Sequence, residues 1–169
     1  VGASAAASAS SGEGGAEAEP TEEVVQAVRR GEEAAVLIWL DGGGRVDATF
    51  EFVFSNSTTS GMTLLILAMT YGREALAETL LQRGADVSLH ISSGDTALNL
   101  AAANGFEKLV ELALRHGAAI DRRSGSSSNT ALILAAAYGH DKVVDTLIRH
   151  GAAIDQQNSI GDTALILAA

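Results

Sequence analysis

Residues 94–105 read GDTALNLAAANG, and similar segments recur before and after this one along the chain. The recurrence has a fixed period, because the threonines and two sets of glycines are each spaced 33 or 34 residues apart. The three sets are Thr63, Thr96, Thr130 and Thr163; Gly72, Gly105 and Gly139; and Gly84, Gly117 and Gly151. Three independent markers in one register predict a chain built from repeated structural units.

Each period predicts two short helices joined by a turn. Thr96 can cap a helix over residues 97–103, which ends at Asn104-Gly105. A second helix begins at about Glu107 and ends before Gly117. Helices this short are marginal in water, so the apolar face of each must be covered by its partner helix and by the neighbouring repeat. The period therefore predicts a row of stacked helix pairs.

These segments resemble the ankyrin repeat. Residues 94–105 and 129–140 (NTALILAAAYGH) are similar to the family segment G-x-T-P-L-H-x-A-A-x-x-G-H. Residues 110–118 (VELALRHGA) and 144–152 (VDTLIRHGA) are similar to the family segment V-x-x-L-L-x-x-G-A. The resemblance implies an all-α fold, an ankyrin-repeat solenoid of stacked helix-turn-helix units with β-turn or hairpin fingers between them.

The chain departs from the family pattern at two positions in every copy. The proline that follows the threonine in the family is replaced here by Leu64, Ala97, Ala131 and Ala164. The family's histidine is replaced by Ile66, Asn99, Ile133 and Ile166. The resemblance is close over residues 61–169 and looser over residues 21–47. Of the four residues at the histidine position, only Asn99 can form the hydrogen bond between adjacent fingers that the family resemblance implies.

The repeats divide the chain into a leader and an array. Residues 1–20 are rich in Ala, Ser, Gly and Glu and have too little apolar bulk to offset the entropy of ordering, so we predict a disordered leader. Residues 21–169 form the predicted array. Its parts are a divergent cap repeat (21–47), an extended finger (48–60), three repeats (61–93, 94–127 and 128–160) and a truncated repeat (161–169). The truncated repeat lacks a second helix, and we expect the chain to be part of a longer array.

The extended finger carries three of the four phenylalanines in the chain. Phe50, Phe52 and Phe54 alternate with Glu51 and Val53, a period-two pattern typical of a strand. We therefore predict an elongated, hairpin-like first finger. Aromatic side chains often dominate binding energetics, which makes Phe50 and Phe52 candidate partner contacts. The alternative is that the rings pack on the first two repeats and shield their edge.

Charge and composition argue against several classes of function. The chain has 21 acidic and 11 basic residues, a net charge of −10, and no basic stripe, so we expect no nucleic-acid partner. The absence of cysteine excludes disulfides and thiolate metal sites. No run approaches the roughly eighteen apolar residues that a membrane span needs. Because residues 1–11 also lack the features of a secretory signal, we expect a cytoplasmic or nuclear protein.

The sequence carries no convincing catalytic or metal-binding motif. His116 and His150 each precede a helix-terminal glycine, where a cation complements the helix dipole. His140 fills the family's Gly-His position, and His90 is expected in a solvated finger. The run Gly42–Arg45 follows a helix and lacks the spacing of a phosphate-binding loop, so it is expected to end that helix. We predict no enzyme activity, no cofactor and no metal site.

The finger at residues 122–128 (RRSGSSS) is basic, rich in serine and one residue longer than its counterparts. Phosphorylation would add about −1.5 to −2 charge per site. An ordinary solvated loop is the simpler interpretation.

The family resemblance implies a protein or peptide partner, bound on a concave face that the finger tips and the first helices form. Carried over position by position, the finger contacts are Met62, Asp95, Asn129 and Asp162. The contacts on the first helices are Thr70, Tyr71, Asn104 and Tyr138, and those near the following turns are Arg83, His116 and His150. Tyr71 and Tyr138 are the strongest candidates, because tyrosine offers a large contact area at a small entropic cost.

Two alternative functions remain open at the level of the sequence. The array is expected either to act as a binding module itself or to be a regulatory or targeting domain of a larger enzyme or channel, truncated after residue 169. We expect a monomer. The alternative is self-association through the apolar face of the truncated C-terminal repeat.

Overall fold

The computed structural model describes residues 19–54 and 57–168. These residues form nine helices and one β-hairpin. The helices are α1 (Glu22–Arg30), α2 (Glu33–Asp41), α3 (Leu64–Thr70), α4 (Glu74–Gln82), α5 (Ala97–Ala103), α6 (Glu107–Arg115), α7 (Ala131–Ala137), α8 (Asp141–Arg149) and α9 (Ala164–Leu167). The hairpin strands are β1 (Phe50–Phe54) and β2 (Ser57–Met62). Apart from its last two residues, the predicted disordered leader lies outside the described residues.

A threonine is the N-cap of the first helix of every repeat (α1, α3, α5, α7 and α9). The hydroxyl oxygens of Thr63, Thr130 and Thr163 each accept the backbone N–H three residues further on, at 3.2 to 3.3 Å. Thr96 goes further and forms a reciprocal capping box with Asn99. Each of these bonds satisfies a helix N–H that has no partner within the helix. The threonines with a 33- or 34-residue period therefore mark helix starts, as the sequence predicts.

The helices stack in two layers. The first layer is a row in which α1, α3, α5, α7 and α9 each pack against the next helix of the row, and α4, α6 and α8 form a second row behind it. Buried alanines such as Ala101 and Ala135 line the first row, while larger residues such as Leu109 and Leu147 fill the space between the rows. One hydrophobic core runs along the stack. The predicted helical repeat fold is confirmed in outline, with a small hairpin added to it.

The hairpin is antiparallel and pairs Phe50 with Met62 and Phe52 with Thr59, with an irregular register between these two pairs. The side chains of Phe50, Phe52 and Met62 are buried in the core. The predicted strand at Phe50–Phe54 is thus present, and its partner strand continues to the residue before the α3 cap. The apolar side of the hairpin extends the core over the first two helix pairs.

Polar contacts also join adjacent repeats. Asn99 Nδ2 donates to the carbonyl of Arg122 at 3.5 Å. This is the polar contact with the adjacent finger that the family resemblance implies for Asn99. His140 Nε2 lies 2.9 Å from the carbonyl oxygen of Ala103 and donates to it. Arg73 Nε donates to the carbonyl of Arg29 at 2.8 Å. The last two bonds satisfy carbonyls at the ends of α5 and α1, and all three bonds tie a repeat to its neighbour.

Candidate functional site

The C-terminal ends of the first-layer helices present three candidate contact residues in corresponding positions. Tyr71, Asn104 and Tyr138 are the residues that end α3, α5 and α7. Tyr138 is 64% exposed, and its ring lies 6.4 Å from the ring of His140 in a stacked arrangement. Asn104 is exposed, and its Nδ2 donates to the carbonyl of Leu100 at 2.8 Å. This row is solvent-facing at two of its three positions.

Tyr71 is less exposed than Tyr138, and a basic side chain covers part of its ring. The guanidinium carbon of Arg29 lies 5.3 Å from the centre of the Tyr71 ring and 5.9 Å from that of Phe52. This arrangement is a pair of cation–π contacts. Thr70 beside it uses its hydroxyl to donate to the carbonyl of Ile66 at 2.8 Å. Sequence reasoning missed Arg29, since no local pattern shows that its side chain meets a ring from the hairpin.

The fingers carry the second group of candidates. Asp95 is half-buried and accepts the hydroxyl of Ser93, while Asn129 Oδ1 accepts Asn158 Nδ2 at 3.2 Å. The backbone N–H of Asp162 donates to Asn158 Oδ1 at 2.9 Å. A polar cleft of about 500 Å³ separates two neighbouring fingers and is lined by Ser92, Ser93, Asp95, Ser124, Gly125, Ser126, Ser127, Asn129 and Leu134.

The third group lies at the ends of the second-layer helices. Arg83, His116 and His150 are the residues that end α4, α6 and α8, and all three are exposed. Arg83 forms an ion pair with Asp41 at 2.7 Å. The Nδ1 atoms of His116 and His150 donate to the carbonyls of Leu112 and Thr146 at 2.9 and 2.8 Å. Both histidines therefore hydrogen-bond carbonyls in the last turn of their own helices, a contact that the sequence analysis did not predict.

Three predicted contact residues require correction. Met62 is 0% exposed, Phe50 is 7% exposed and Phe52 is 2% exposed. A side chain this buried has no surface to offer a partner, and these three instead pack in the core beneath the hairpin. The sequence could not separate the two outcomes, because an alternating apolar strand has the same pattern whether its apolar face meets a partner or the chain's own core.

Comparison with protein families agrees with this architecture. A model described as ankyrin repeats (3 copies) matches residues 98–169, and one described as ankyrin repeats (many copies) matches residues 64–114. Together they span residues 64–169. The chain belongs to the ankyrin repeat family. No curated protein matches it. Ankyrin repeats are in general protein–protein interaction modules without catalytic chemistry, and the expected class of function follows from this membership.

The C-terminal end of the ankyrin array exposes a group of apolar side chains. Leu165 is 79% exposed, whereas its counterparts Leu98 and Leu132 in the preceding repeats are fully buried. Together with Ile148 and Ile154, Leu165 lines an apolar groove of about 260 Å³. In the alternative to a monomer, two copies of the chain would associate through this apolar face.

Within residues 19–54 and 57–168, no three His, Cys, Asp or Glu side chains are grouped so that they could hold a metal ion. None of the helices in these same ranges is long and apolar enough to cross a membrane.

Proposed function

We propose that this ankyrin array binds a segment of a partner protein along the face formed by the fingers and by the C-terminal ends of the helices in both layers. The proposed contact set keeps the predicted residues that retain exposed surface. They are Thr70, Tyr71, Arg83, Asp95, Asn104, His116, Asn129, Tyr138, His150 and Asp162. Phe50, Phe52 and Met62 are left out because they are buried.

The observation that carries the proposal is the exposure of Tyr138. Large apolar or aromatic side chains are normally covered, yet this ring is 64% exposed with His140 stacked beside it. His140 is itself anchored to the carbonyl of Ala103, so the side chain next to Tyr138 is held in place. A preordered aromatic surface loses little entropy on binding and suits a contact that supplies much of the binding energy.

The rigidity of the stack supports the same conclusion. Thr96 and Asn99 fix the start of α5 by a capping box, and Asn99 also bonds the next finger at the carbonyl of Arg122. Asn158 similarly links two fingers through its bond to Asn129. Fingers tied to one another present their tips in a fixed spacing, so a partner segment can bind several tips without ordering them first.

The charges on this face suggest the character of the partner. Asp95 and Asp162 occupy corresponding positions at two finger bases, and the chain as a whole carries a net charge of −10. Opposite charges across an interface raise the association rate and penalise wrong partners. We therefore propose a partner segment with basic side chains that lie against the acidic fingers. We also propose a cytoplasmic or nuclear setting and a monomeric array.

The test is capture of partners by the full chain and by two single variants. Tyr138→Ala removes the exposed ring, and Ile38→Ala removes an exposed apolar side chain on α2 that is not in the proposed contact set. A central aromatic contact is worth about 2 kcal/mol or more, so we expect Tyr138→Ala to weaken binding of a captured partner by about 30-fold or more. Ile38→Ala should leave it unchanged, and thermal unfolding should be nearly unaltered in both. Equal capture by all three proteins would contradict the proposed face.

A further inference from the structure

The finger at residues 122–129 differs from the others in charge and composition. Arg122 and Arg123 are adjacent and both exposed, in a chain whose acidic residues outnumber its basic ones 21 to 11. Four serines follow them within five residues. The proposed binding function does not use this combination of a basic pair and a serine cluster.

The structure separates the four serines by their accessibility. Ser124 is 4% exposed, and its hydroxyl donates to the carbonyl of Asn129 at 3.2 Å. Ser128 is half-buried, and its backbone N–H donates to the carbonyl of Gly125 in the turn.

The other two serines are exposed. The carbonyl of Ser127 accepts the N–H of Ser159 from the next finger at 2.9 Å. Ser126 is exposed at the tip and lines the cleft between two fingers.

We propose that Ser126 is a phosphorylation site for an arginine-directed protein kinase. Arg123 precedes it by three residues and Arg122 by four. Exposed guanidinium groups at this distance can form paired hydrogen bonds with carboxylates in the substrate groove of such a kinase. Ser126 Oγ attacks the γ-phosphorus of ATP, the new O–P bond replaces the bond to ADP, and the hydroxyl proton passes to a base of the kinase.

The anchoring of the finger explains why the tip can reach a kinase without unfolding the repeat. Ser124 and Asn129 close the base of the loop through bonds to both the N–H and the hydroxyl of Ser124. Two backbone bonds hold the tip and would have to open: the 3.3 Å bond from Ser128 N–H to the carbonyl of Gly125 and the 2.9 Å bond from Ser159 N–H to the carbonyl of Ser127. Exposed loops of this kind open locally at small free-energy cost, while the helices behind them stay folded.

A phosphate at Ser126 would change the electrostatics of the cleft. It adds about −1.5 to −2 charge, which cancels the two arginines at the base of the same finger. Asp95 from the neighbouring finger lines the same cleft, so its carboxylate would repel the phosphate. Arg123 is held to Gln156 only by a 3.4 Å bond and can exchange this partner for the phosphate.

The test is phosphorylation of the purified full chain by an arginine-directed serine kinase with Mg²⁺ and ATP, followed by intact-mass measurement and fragmentation. We expect one phosphoryl group on Ser126, its loss in Ser126→Ala, and a rate reduced by about tenfold or more in Arg123→Ala. Ser93→Ala is the matched control. This exposed serine of the preceding finger has no arginine three or four residues before it, so the variant should be phosphorylated on Ser126 as the wild type is.

Three results would overturn the proposal. They are no incorporation of phosphate, incorporation that persists in Ser126→Ala, and a rate that is unchanged in Arg123→Ala. All substitutions lie on exposed finger residues, so unaltered thermal unfolding of each variant is the check that the comparison concerns the site and not the fold. Because the readout is the mass of the chain, the result is independent of whether the proposed partner-binding face is correct.

Discussion

At the scale of single residues, the contact between repeats depends on glycines that leave room for a side chain from the next repeat. Gly72 has φ +70°, and a Cβ placed on it would lie 2.8 Å from Cζ of Phe106. Gly105 stands in the same relation to the ring of His140, with its nearest atom at 2.7 Å. The side chain that follows the glycine in one repeat thus packs over the glycine of the repeat before it.

This arrangement predicts that Gly72→Ala destabilises the chain more than Gly84→Ala. Gly84 has φ +89° but no atom within 4 Å of its would-be Cβ, so its substitution carries only the backbone cost of about 1–2 kcal/mol. Gly72→Ala adds a clash with the Phe106 ring, and overpacking of this kind costs about 1–3 kcal/mol more. Chemical denaturation of the two variants measures the difference. Equal losses would show that the ring moves away at no cost.

A second prediction at this scale concerns Asp86. Hydrogen bonds from the side chain and the backbone N–H of Ser88 hold the pKa of the Asp86 carboxyl below its ordinary value, and desolvation opposes them only weakly. Because the folded pKa is lower than the unfolded one, the stabilisation is present above about pH 4 and is lost as the pH falls through the folded pKa.

Ser88→Ala removes the hydroxyl bond, which is the largest cause of the lowered pKa. We expect the pKa of Asp86, measured by NMR titration of its carboxyl carbon, to rise towards the ordinary value in this variant. The variant should lose this contribution near neutral pH, and the acid limb of its stability curve should be shallower, because the folded and unfolded pKa values of Asp86 then differ less. Ser126→Ala, in a distant finger, serves as the control and should leave the titration of Asp86 where it is. An unchanged Asp86 titration in Ser88→Ala would refute the assignment to Ser88.

At the scale of secondary structure elements, the sequence predicted the helices better than the hairpin. The helix predicted over residues 97–103 is α5 as observed, because Thr96 caps its start and Asn104-Gly105 ends it. The first hairpin strand was also predicted from its alternating phenylalanines. The second strand, with the sequence STTSGM, carries one large apolar residue and no alternation, so only its pairing with β1 defines it. Alternating apolar and polar residues predict a strand only when one of its faces is buried. This strand is mostly exposed, so its sequence has no such pattern.

The buried ring of Phe52 predicts that the hairpin contributes to stability. Phe52→Ala leaves a cavity next to the core and removes a ring that faces Arg29, for which we expect a loss of about 3–5 kcal/mol in the free energy of unfolding. Glu51→Ala, on the exposed side of the same strand, should change the free energy of unfolding by less than about 0.5 kcal/mol. If Phe52→Ala proves as mild as Glu51→Ala, the hairpin is not part of the core.

At the scale of the whole molecule, the strongest packing among the described residues is between neighbouring repeats, as α3 with α5 and α5 with α7 show. The period, the layers and the class of function follow from the sequence for this reason, since every repeat restates the same local pattern. Which residues are exposed on the proposed binding face is less predictable. Asn99 and His140 could be placed by their position in the repeat, whereas Arg29 and the buried Met62 depend on the hairpin, which occurs once.

Nearest-neighbour packing also predicts an uneven stability along the array, because a repeat covered on both sides gains two interfaces and an end repeat gains fewer. Leu98 and Leu132 are fully buried in α5 and α7, whereas Leu165 of α9 is 79% exposed. Native-state hydrogen exchange should therefore show the slowest amides in α5 and α7 and fast exchange in α9, where helix opening exposes little additional apolar surface. Exchange at one uniform rate along the chain would instead mean that the array opens only as a single cooperative unit.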